Sequence, residues 1–392
     1  MQAPEPARLS PIEAWQGRVA ENKIMKNTIG NNITVTIFGE SHGQAVGAVI
    51  DGLAPGIEVD QDTIAHYLAR RRPNGATDTA RCESDDFRIL SGVFNGYTCG
   101  TPITIVIPNQ DKHSSDYIYG IARPSHADLT AYYKYHGYED YRGGGHFSGR
   151  VTAAIVAAGG ILLPALAKEG IHIGTHIAYC GGINDRDFSK EELRDDIVSL
   201  SQMMFPVLDE DKGAQMREKI INAGEECDSI GGITETVISG MPTGVGEPWF
   251  DSVESMISHA IFSIGAIKGI EFGAGFAFAD MKGSEANDPI GIKDGSFYTK
   301  TNNNGGINGG ITNGMPVTFK CAVKPTPSIF KSQQTVDFVK KEETEHMIKG
   351  RHDPAVIRRI CPVIDSMCAI VVCDMLAGRF GTDLQGKLGR DE

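Results

Sequence analysis

Three histidines lie on short stretches whose composition is typical of loops. His42 follows Gly-Glu-Ser, His126 stands in Pro-Ser-His-Ala-Asp, and His352 stands in Arg-His-Asp-Pro. An imidazole titrates near neutral pH, so it can donate or accept a proton under physiological conditions. A single loop histidine is more often structural than catalytic, so these three indicate a reaction site only if other functional groups accompany them.

Basic side chains are concentrated in the same kind of segment. Residues 70–73 (RRRP) end a predicted helix, and guanidinium groups bind phosphate and carboxylate through paired hydrogen bonds. The alternative is that these arginines compensate the helix dipole on a solvated face. Further cations stand in Gly- and Pro-rich segments: Arg123, Arg142, Arg150, Lys324 and Arg351. Together they predict a site for a small ligand with several negative charges.

Glycine-rich loops accompany these groups. Glycine accounts for 47 of 392 residues, and the excess lies beside His, Arg and Ser rather than in a repeat. Such loops let backbone N–H groups approach phosphate oxygens, although any one of them is also explained as an ordinary turn. No Walker A sequence occurs and no G-x-G-x-x-G follows a strand, which disfavours P-loop and Rossmann proteins.

The overall composition argues against several other classes. A formal charge of -13 and a pI near 5.3 disfavour nucleic-acid binding through net charge. The eight cysteines include no C-x-x-C pair and no zinc-like spacing, so we expect reduced thiols and no metal site. No uninterrupted apolar stretch of ~18–20 residues predicts a membrane span. Residues 1–24 lack the apolar core of a secretory signal, so we expect a cytoplasmic protein.

Strand-like and helix-like patterns alternate along the chain. Residues 188–227 are charged and helical in pattern, and we interpret them as a polar peripheral insertion. We expect residues 1–24 to be a disordered appendage and residues 25–392 to form one domain. The order of elements predicts an α+β protein with two similar halves. The strands are predicted over 33–38, 45–50, 101–107, 233–238, 272–278 and 316–322, and the helices over 62–72, 151–168, 252–264 and 355–376.

Seven short motifs stand in an order that resembles one protein family. Each motif is weak alone, but the seven in order are similar to the chorismate synthases over about residues 26–376. The motifs are residues 38–43 (FGESHG), 70–73 (RRRP), 123–128 (RPSHAD), 140–145 (DYRGGG), 246–248 (GEP), 324–326 (KPT) and 350–354 (GRHDP).

The resemblance implies a lyase that completes the shikimate pathway to aromatic amino acids. Members of the family convert 5-enolpyruvylshikimate 3-phosphate to chorismate by a 1,4-anti elimination of phosphate that requires reduced FMN. The implied fold is a β-α-β sandwich in which each half is a four-stranded antiparallel sheet flanked by helices, assembled as a homotetramer. Substrate and flavin both carry negative charges, which accounts for basic loops on an acidic chain.

The resemblance also implies roles for individual residues. His42 would protonate the departing phosphate, His126 would control protonation at flavin N1, and Asp353 would accept or relay the proton gained at N5. The implied substrate clamp is Arg71, Arg123, Arg150 and Arg351, with Arg142 as a further candidate. The implied flavin contacts are His146, Phe147, Ser148, Gly265, Ala266, Gly309, Lys324, Pro325, Thr326, Pro327, Ser328 and Arg351.

The chain departs from the family pattern at two places. Residues 146–150 read HFSGR where most members have RSSAR, so a titratable ring replaces one cation and an aromatic ring replaces one hydroxyl. We therefore expect backbone contacts to the flavin here, and weaker flavin binding at high pH, where His146 is uncharged. Residues 74–80 lack the basic residue that the family commonly places after RRRP, and Arg81 is the nearest substitute.

Two alternative functions stay open at this point. A non-catalytic flavin- or phosphate-binding protein would use the same loops, but it would not need His42, His126 and Asp353 together. A bifunctional synthase would also reduce its own flavin with NADPH. Because no dinucleotide motif is present, the sequence favours a monofunctional enzyme supplied by a separate flavin reductase.

Overall fold

The computed structural model describes residues 26–75, 77–79, 84–110, 117–348 and 352–382. The strands in these ranges are β1 (Thr28–Ile29), β2 (Thr34–Gly39), β3 (Ala45–Asp51), β4 (Arg88–Ser91), β5 (Val93–Phe94), β6 (Tyr97–Thr98), β7 (Ile103–Pro108), β8 (His172–Cys180), β9 (Ile183–Asn184), β10 (Gly232–Ser239), β11 (Ile267–Phe272), β12 (Ile290–Lys293), β13 (Ser296–Thr299), β14 (Ile307–Asn308), β15 (Ile311–Thr312), β16 (Val317–Val323), β17 (Gln333–Asp337) and β18 (Glu342–His346). The helices are α1 (Gln61–Arg71), α2 (Asp128–Tyr135), α3 (Thr152–Lys168), α4 (Leu193–Gln202), α5 (Glu210–Glu225), α6 (Val253–Ile261), α7 (Gly283–Ala286) and α8 (Ile357–Phe380).

Two antiparallel sheets repeat one topology. The first sheet has the order β1-β2-β3-β7-β4, and the second has the order β11-β16-β10-β8-β9. Once the two-residue edge strands β1 and β9 are set aside, each sheet places its four strands in the order first, second, fourth, third. The prediction of an α+β fold with two similar halves is thereby confirmed, with a short fifth strand added to each sheet.

A layer of buried helices lies between the sheets. Helix α3 packs on β3, α8 packs on β8 and β10, and the two helices pack against each other. Gly159 allows this close approach, because a Cβ there would lie 2.2 Å from Ser366 Oγ of α8. Gly160 allows a similar approach of α1, because a Cβ there would lie 2.8 Å from Ile64 Cα. The predicted β-α-β sandwich is therefore present, and the glycine pair that weakens an isolated helix serves packing here.

Two of the described helices are long and apolar enough, by length and composition, to cross a membrane. They span 149–168 and Ile357–Phe380, and 78% and 100% of their apolar windows are buried inside the protein. The core helix of a globular protein has the same composition. In this fold both segments form the middle layer of the sandwich.

The sequence prediction differs from the structure at two segments. Residues 272–278 are not a strand: β11 ends at Phe272, and Gly273 and Gly275 take left-handed backbone angles that turn the chain into a 3₁₀-helix over Gly275–Asp280. Residues 188–227 are helical as expected, but α4 packs on β8 and buries Ile197 and Leu200. This segment forms the outer cover of the second sheet.

Candidate active site

A cavity of about 780 Å³ lies where the middle helices meet the loops of both halves. Its size falls within the range of sites that hold small molecules and cofactors. It brings together most of the residues singled out from the sequence, which are Arg71, Arg123, His126, His146, Phe147, Ser148, Arg150, Gly265, Ala266, Lys324, Thr326, Pro327, Ser328 and Asp353, together with His352.

A few of the predicted residues do not line this cavity. Arg142 is 43% exposed and forms an ion pair with Asp140 instead. Gly309 lies in the turn between β14 and β15, and Pro325 packs against Gly231. His42 lies directly behind the cavity wall. Arg351 and Arg81 fall outside the described residues.

Arg71 and Arg150 share one buried carboxylate. Arg71 Nη2 donates to Asp85 Oδ2 at 2.7 Å, and Arg150 Nη1 donates to Asp85 Oδ1. Arg150 is further fixed by Asn109 Oδ1, which accepts from its Nε at 2.8 Å. Burial lowers the pKa of Arg71 to about 10, so this side chain keeps its charge at pH 7. Two cations therefore share one anion at the cavity wall.

Arg123 forms a second cationic group at the cavity. Its Nε and Nη2 donate to the two oxygens of Asp128, each at 2.8 Å, and its guanidinium lies 5.3 Å from the centre of the Tyr117 ring. Burial alone would raise the pKa of Asp128, but the hydrogen bonds from Arg123 hold it below its usual value. The pairing fixes the plane of the guanidinium before a ligand binds.

His126 is held as a neutral imidazole. Its Nδ1 lies 3.1 Å from the Pro124 carbonyl, which can only accept, and its Nε2 lies 2.8 Å from Ser328 Oγ. Burial and the nearby charges of Arg123 and Lys324 lower the pKa of His126 to about 4. The ring therefore donates a hydrogen bond through Nδ1 and accepts a hydrogen bond from the Ser328 hydroxyl at Nε2.

His42 is buried behind a run of three glycines. Gly143, Gly144 and Gly145 all have positive φ, at 61°, 79° and 53°. A Cβ at Gly143 would lie 2.7 Å from His42 Nε2, so only glycine lets this ring approach the cavity wall. Ser41 N donates to the Gly145 carbonyl at 3.0 Å, which joins the two predicted motifs.

Asp353 is anchored on both of its oxygens. The Thr79 N–H donates to Oδ1 at 2.9 Å, and Arg359 Nη1 donates to Oδ2. Arg359 also donates through Nε to the Arg71 carbonyl at 2.9 Å. Asp353 therefore lies beside the end of α1, close to the cations of the cavity.

Several residues of the site were not predicted from the sequence. Asp85, Asn109, Tyr117 and Arg359 each contact a predicted residue, yet none belongs to a motif that indicates its partner. Asp85 lies in an acidic pair fourteen positions after Arg71, and no periodic pattern brings the two together. Only the tertiary fold shows that these segments converge.

An aromatic cluster lies on the outer side of the cavity. Tyr119 and Tyr132 pack against Phe338 of the hairpin β17–β18, with ring centres 5.7 and 4.8 Å apart, and Tyr119 also packs on Tyr141. The hairpin is joined to this segment by backbone hydrogen bonds between Ala122 and Val336 and between Phe338 and Gly120. Tyr119, Tyr141 and Phe338 of this cluster line the cavity.

The cavity wall carries cationic and hydrogen-bonding groups that fit a phosphate. Among the described residues, Thr326 Oγ1 and Arg71 Nε are buried without a hydrogen-bond partner, and both side chains line the cavity. Lys324 Nζ donates to the Ser125 carbonyl at 2.8 Å and is only partly buried, so its charge faces the same space. Unsatisfied buried donors are costly unless a ligand completes them.

The described residues contain no cluster of three or more His, Cys, Asp or Glu side chains arranged to hold a metal ion. Of the cysteines that the structure describes, Cys180, Cys321, Cys361, Cys368 and Cys373 are buried free thiols, and Cys99 and Cys227 are exposed. Burial raises the pKa of Cys180 to about 11, which keeps that thiol protonated and unreactive.

The fold and the cavity define an α+β protein with a cavity between its two halves that is lined by cationic side chains. The sequence pattern of the chorismate synthase family matches residues 33–377. The chain is 46% identical to a chorismate synthase of Pyrococcus abyssi and 44% identical to one of Thermococcus gammatolerans, in each case over 89% of this chain and 97% of the relative. A chorismate synthase from Dehalococcoides mccartyi is 43% identical over 90% of this chain and 96% of its own.

A solved structure supports the same assignment. A crystal structure of a chorismate synthase superposes with a TM-score of 0.72 and 27% sequence identity, covering 92% of this chain and 97% of that one. The chain belongs to the chorismate synthase family.

Proposed function

We propose that this chain converts 5-enolpyruvylshikimate 3-phosphate to chorismate by a 1,4-anti elimination of phosphate that depends on reduced FMN. The observation that carries the proposal is the convergence of Arg71, Arg123 and Arg150 with His126 and Asp353 around one cavity. The family membership of the chain supports the same reaction. We further propose a cytoplasmic location and a separate source of reduced flavin.

The cations account for substrate binding and for loss of the leaving group. Arg71 and Arg150 bring two positive charges to one carboxylate, which leaves one uncompensated charge beside the cavity. Such a charge in a partly dry site attracts a phosphate or a carboxylate and stabilises the negative charge that develops on departing phosphate. Arg123, already fixed by Asp128, offers the same stabilisation from another side of the cavity.

The histidines and Asp353 account for proton movement. His42 lies directly behind Gly143, which lines the cavity. We assign to His42 the donation of a proton to the leaving phosphate. His126 is neutral, and both of its ring nitrogens are paired with protein groups, so we assign it an uncharged ring surface beside the flavin and neither a charge nor a direct hydrogen bond. Hydrogen bonds from Thr79 and Arg359 fix the position of Asp353. We assign to Asp353 the acceptance of the proton that derives from the hydrogen lost by the substrate ring.

Reduced FMN, when bound, supplies electron density to the substrate transiently, so the overall reaction involves no net oxidation. The residues that would hold it are those around Gly265, Ala266, Lys324 and Thr326. Ala266 has a left-handed φ of 77°, and its carbonyl accepts the Lys324 N–H at 2.9 Å, so these two segments form one fixed edge of the cavity. Backbone fixed in this way can support a planar ring.

The test is an anaerobic assay with purified protein, 5-enolpyruvylshikimate 3-phosphate and chemically reduced FMN. We expect phosphate and chorismate to form in equal amounts, and no product with oxidised FMN alone. Product from oxidised FMN plus NADPH would show the bifunctional alternative. Tight flavin binding without product would show the non-catalytic binder.

We also propose that the chain assembles as a homotetramer. Exposed apolar side chains lie close together on the hairpin β12–β13, where Ile292 is paired with Phe297 and Ile290 is 74% exposed. Phe276 and Phe250 are also exposed, at 83% and 91%. Exposed apolar residues in such groups are typical of subunit contacts.

A further inference from the structure

Asp85 connects two cations that come from different parts of the chain. Arg71 ends α1, Arg150 lies in the 3₁₀ turn just before α3, and Asp85 stands in the segment that leads to β4. The three side chains are at most 3% exposed. Each carboxylate oxygen accepts from a different guanidinium, so this one side chain bridges the two cations.

The backbone at Asp85 supports a specific role. Its φ is 55°, a left-handed conformation that costs energy in a residue other than glycine. The neighbouring segment is fixed by Arg72 Nη1, which donates to the Ser84 carbonyl at 2.6 Å. A strained conformation persists where the surrounding structure requires it, and here it turns the carboxylate towards both arginines.

The remaining donors show what the arrangement leaves for a ligand. Each of the three nitrogens of Arg150 donates to a protein group, because Nη1 donates to Asp85, Nε donates to Asn109 and Nη2 donates to the Pro108 carbonyl at 3.2 Å. Within the described part of the chain, Arg71 keeps a buried Nε without a partner. The pair therefore presents a fixed orientation and a free donor on Arg71.

We propose that Asp85 is a positioning residue for substrate binding, which holds Arg71 and Arg150 in the geometry that receives an anionic group of the substrate. The proposal rests on the proposed function. It makes a prediction opposite to that of simple charge balance. If Asp85 only neutralised charge, its removal would strengthen anion binding, whereas loss of positioning weakens it.

The experiment measures equilibrium binding of 5-enolpyruvylshikimate 3-phosphate by calorimetry with oxidised FMN present, which supports no turnover. Asp85→Asn keeps the size of the side chain and removes its charge. We expect the dissociation constant to rise about 10- to 100-fold, as when supporting partners of ligand-binding groups are removed. An unchanged or lower dissociation constant overturns the proposal.

A double-mutant cycle separates positioning from general damage. In an Arg71→Met background, Asp85→Asn is expected to change the dissociation constant by less than about 3-fold, because Arg71 is gone and Arg150 is still held by Asn109 and Pro108. An equal loss in both backgrounds overturns the proposal. The matched control is Asp86→Asn, an exposed neighbour, which is expected to bind as the wild type does. A comparable loss in the control would also count against a role specific to Asp85.

Two further measurements keep the outcomes distinct. If Asp85→Asn does not fold, as judged by circular dichroism and thermal unfolding, Asp85→Glu keeps the charge and displaces the oxygens, and we expect weaker binding from it. Wild-type affinity in folded Asp85→Glu overturns the proposal. If the wild-type chain does not bind the substrate, the proposed function fails, and the same cycle is then read with inorganic phosphate as the probe.

Discussion

Arg71, Arg123 and Arg150 each contact an aspartate before any ligand is bound. Such pairs cost desolvation energy, so they contribute little to stability by themselves. They fix the planes of the guanidiniums, and a fixed donor loses less entropy when a ligand binds. These ion pairs therefore add little to the stability of the protein, but they hold the positive charges of the site in a fixed orientation.

His126 gives a direct test of this electrostatic environment. Because burial and adjacent cations lower its pKa to about 4, we expect its ring to stay neutral throughout the range in which the enzyme works. The unfolded chain would bind this proton near pH 6.5, so the histidine reduces stability as the pH falls from about 6.5 to about 4. NMR titration of ring-labelled protein, with His126→Gln to assign the signal, should show a midpoint well below 6.5. A midpoint at or above 6.5 would contradict the environment described.

His42 gives the corresponding test for proton transfer. If this ring protonates the leaving phosphate, His42→Ala should lower kcat by roughly 10²- to 10⁴-fold with a smaller effect on KM. His172→Ala is the matched control, because His172 lies in β8 of the second sheet and does not line the cavity. Steady-state kinetics with reduced FMN measure both. Unchanged turnover in His42→Ala would remove this histidine from the reaction.

Elements determine where these groups stand, and the glycine loop before α3 is the clearest case. Gly145 has a φ of 53°, and a Cβ there would lie 2.0 Å from the Asp140 carbonyl oxygen. We expect Gly145→Ala to lose about 1–3 kcal/mol of stability and to weaken FMN binding, because the loop carries the cavity wall. Gly283→Ala meets no atom within 4 Å, lies outside the cavity and should behave as the wild type. Thermal unfolding and FMN titration measure the difference, and equal behaviour of the two variants would be inconsistent with the strained loop.

A buried histidine attaches the outer cover, residues 188–227, to the second sheet. His176 of β8 lies 2.8 Å from Asp185 and 3.0 Å from Glu235, and Asp185 also accepts the Leu208 and Asp209 N–H groups. Burial alone would lower the pKa of His176, but the two carboxylates raise it above 6.5. The stabilisation that His176 gives the folded protein is therefore complete below pH 6.5, and it is lost as the pH rises through the raised pKa of the folded state.

His176→Gln should then destabilise the protein most at low pH. We expect a loss of about 3 kcal/mol at pH 6, the usual cost of breaking a buried ion pair. The difference from the wild type should shrink towards pH 9. Thermal unfolding across this range measures it, and a difference that stays constant with pH would show that His176 is not charged in the folded state.

The elements also show what the sequence could predict. Helices α3 and α8 and strands β3, β10 and β16 follow from apolar periodicity, which reflects local burial. The strand predicted at 272–278 failed because left-handed glycines end β11 while the apolar residues continue. Asp85 was missed because its pairing depends on convergence of distant segments. The motifs located most of the cavity residues and the Asp128 carboxylate that orients Arg123, but not Asp85, which pairs with Arg71 and Arg150.

At the scale of the whole molecule, the hairpin β12–β13 carries the proposed assembly. Size-exclusion chromatography with light scattering should give roughly four times the chain mass of 42.2 kDa. Phe297→Asp places a charge among exposed apolar residues and should lower the measured mass. Val198→Asp is the control, since Val198 is an exposed apolar residue on α4 of the outer cover. A monomeric wild-type protein would contradict the assembly.

We propose that the protein eliminates phosphate from 5-enolpyruvylshikimate 3-phosphate in this cavity. The most direct measurement is anaerobic single-turnover formation of phosphate and chorismate with reduced FMN, in the wild type and in Arg150→Met. We expect equal amounts of both products from the wild type. The rate of product formation in Arg150→Met should be at least about 100-fold lower, because Asp85 then pairs with Arg71 alone and the net positive charge beside the cavity is lost. No phosphate release from the wild type, or wild-type rates in Arg150→Met, would contradict it.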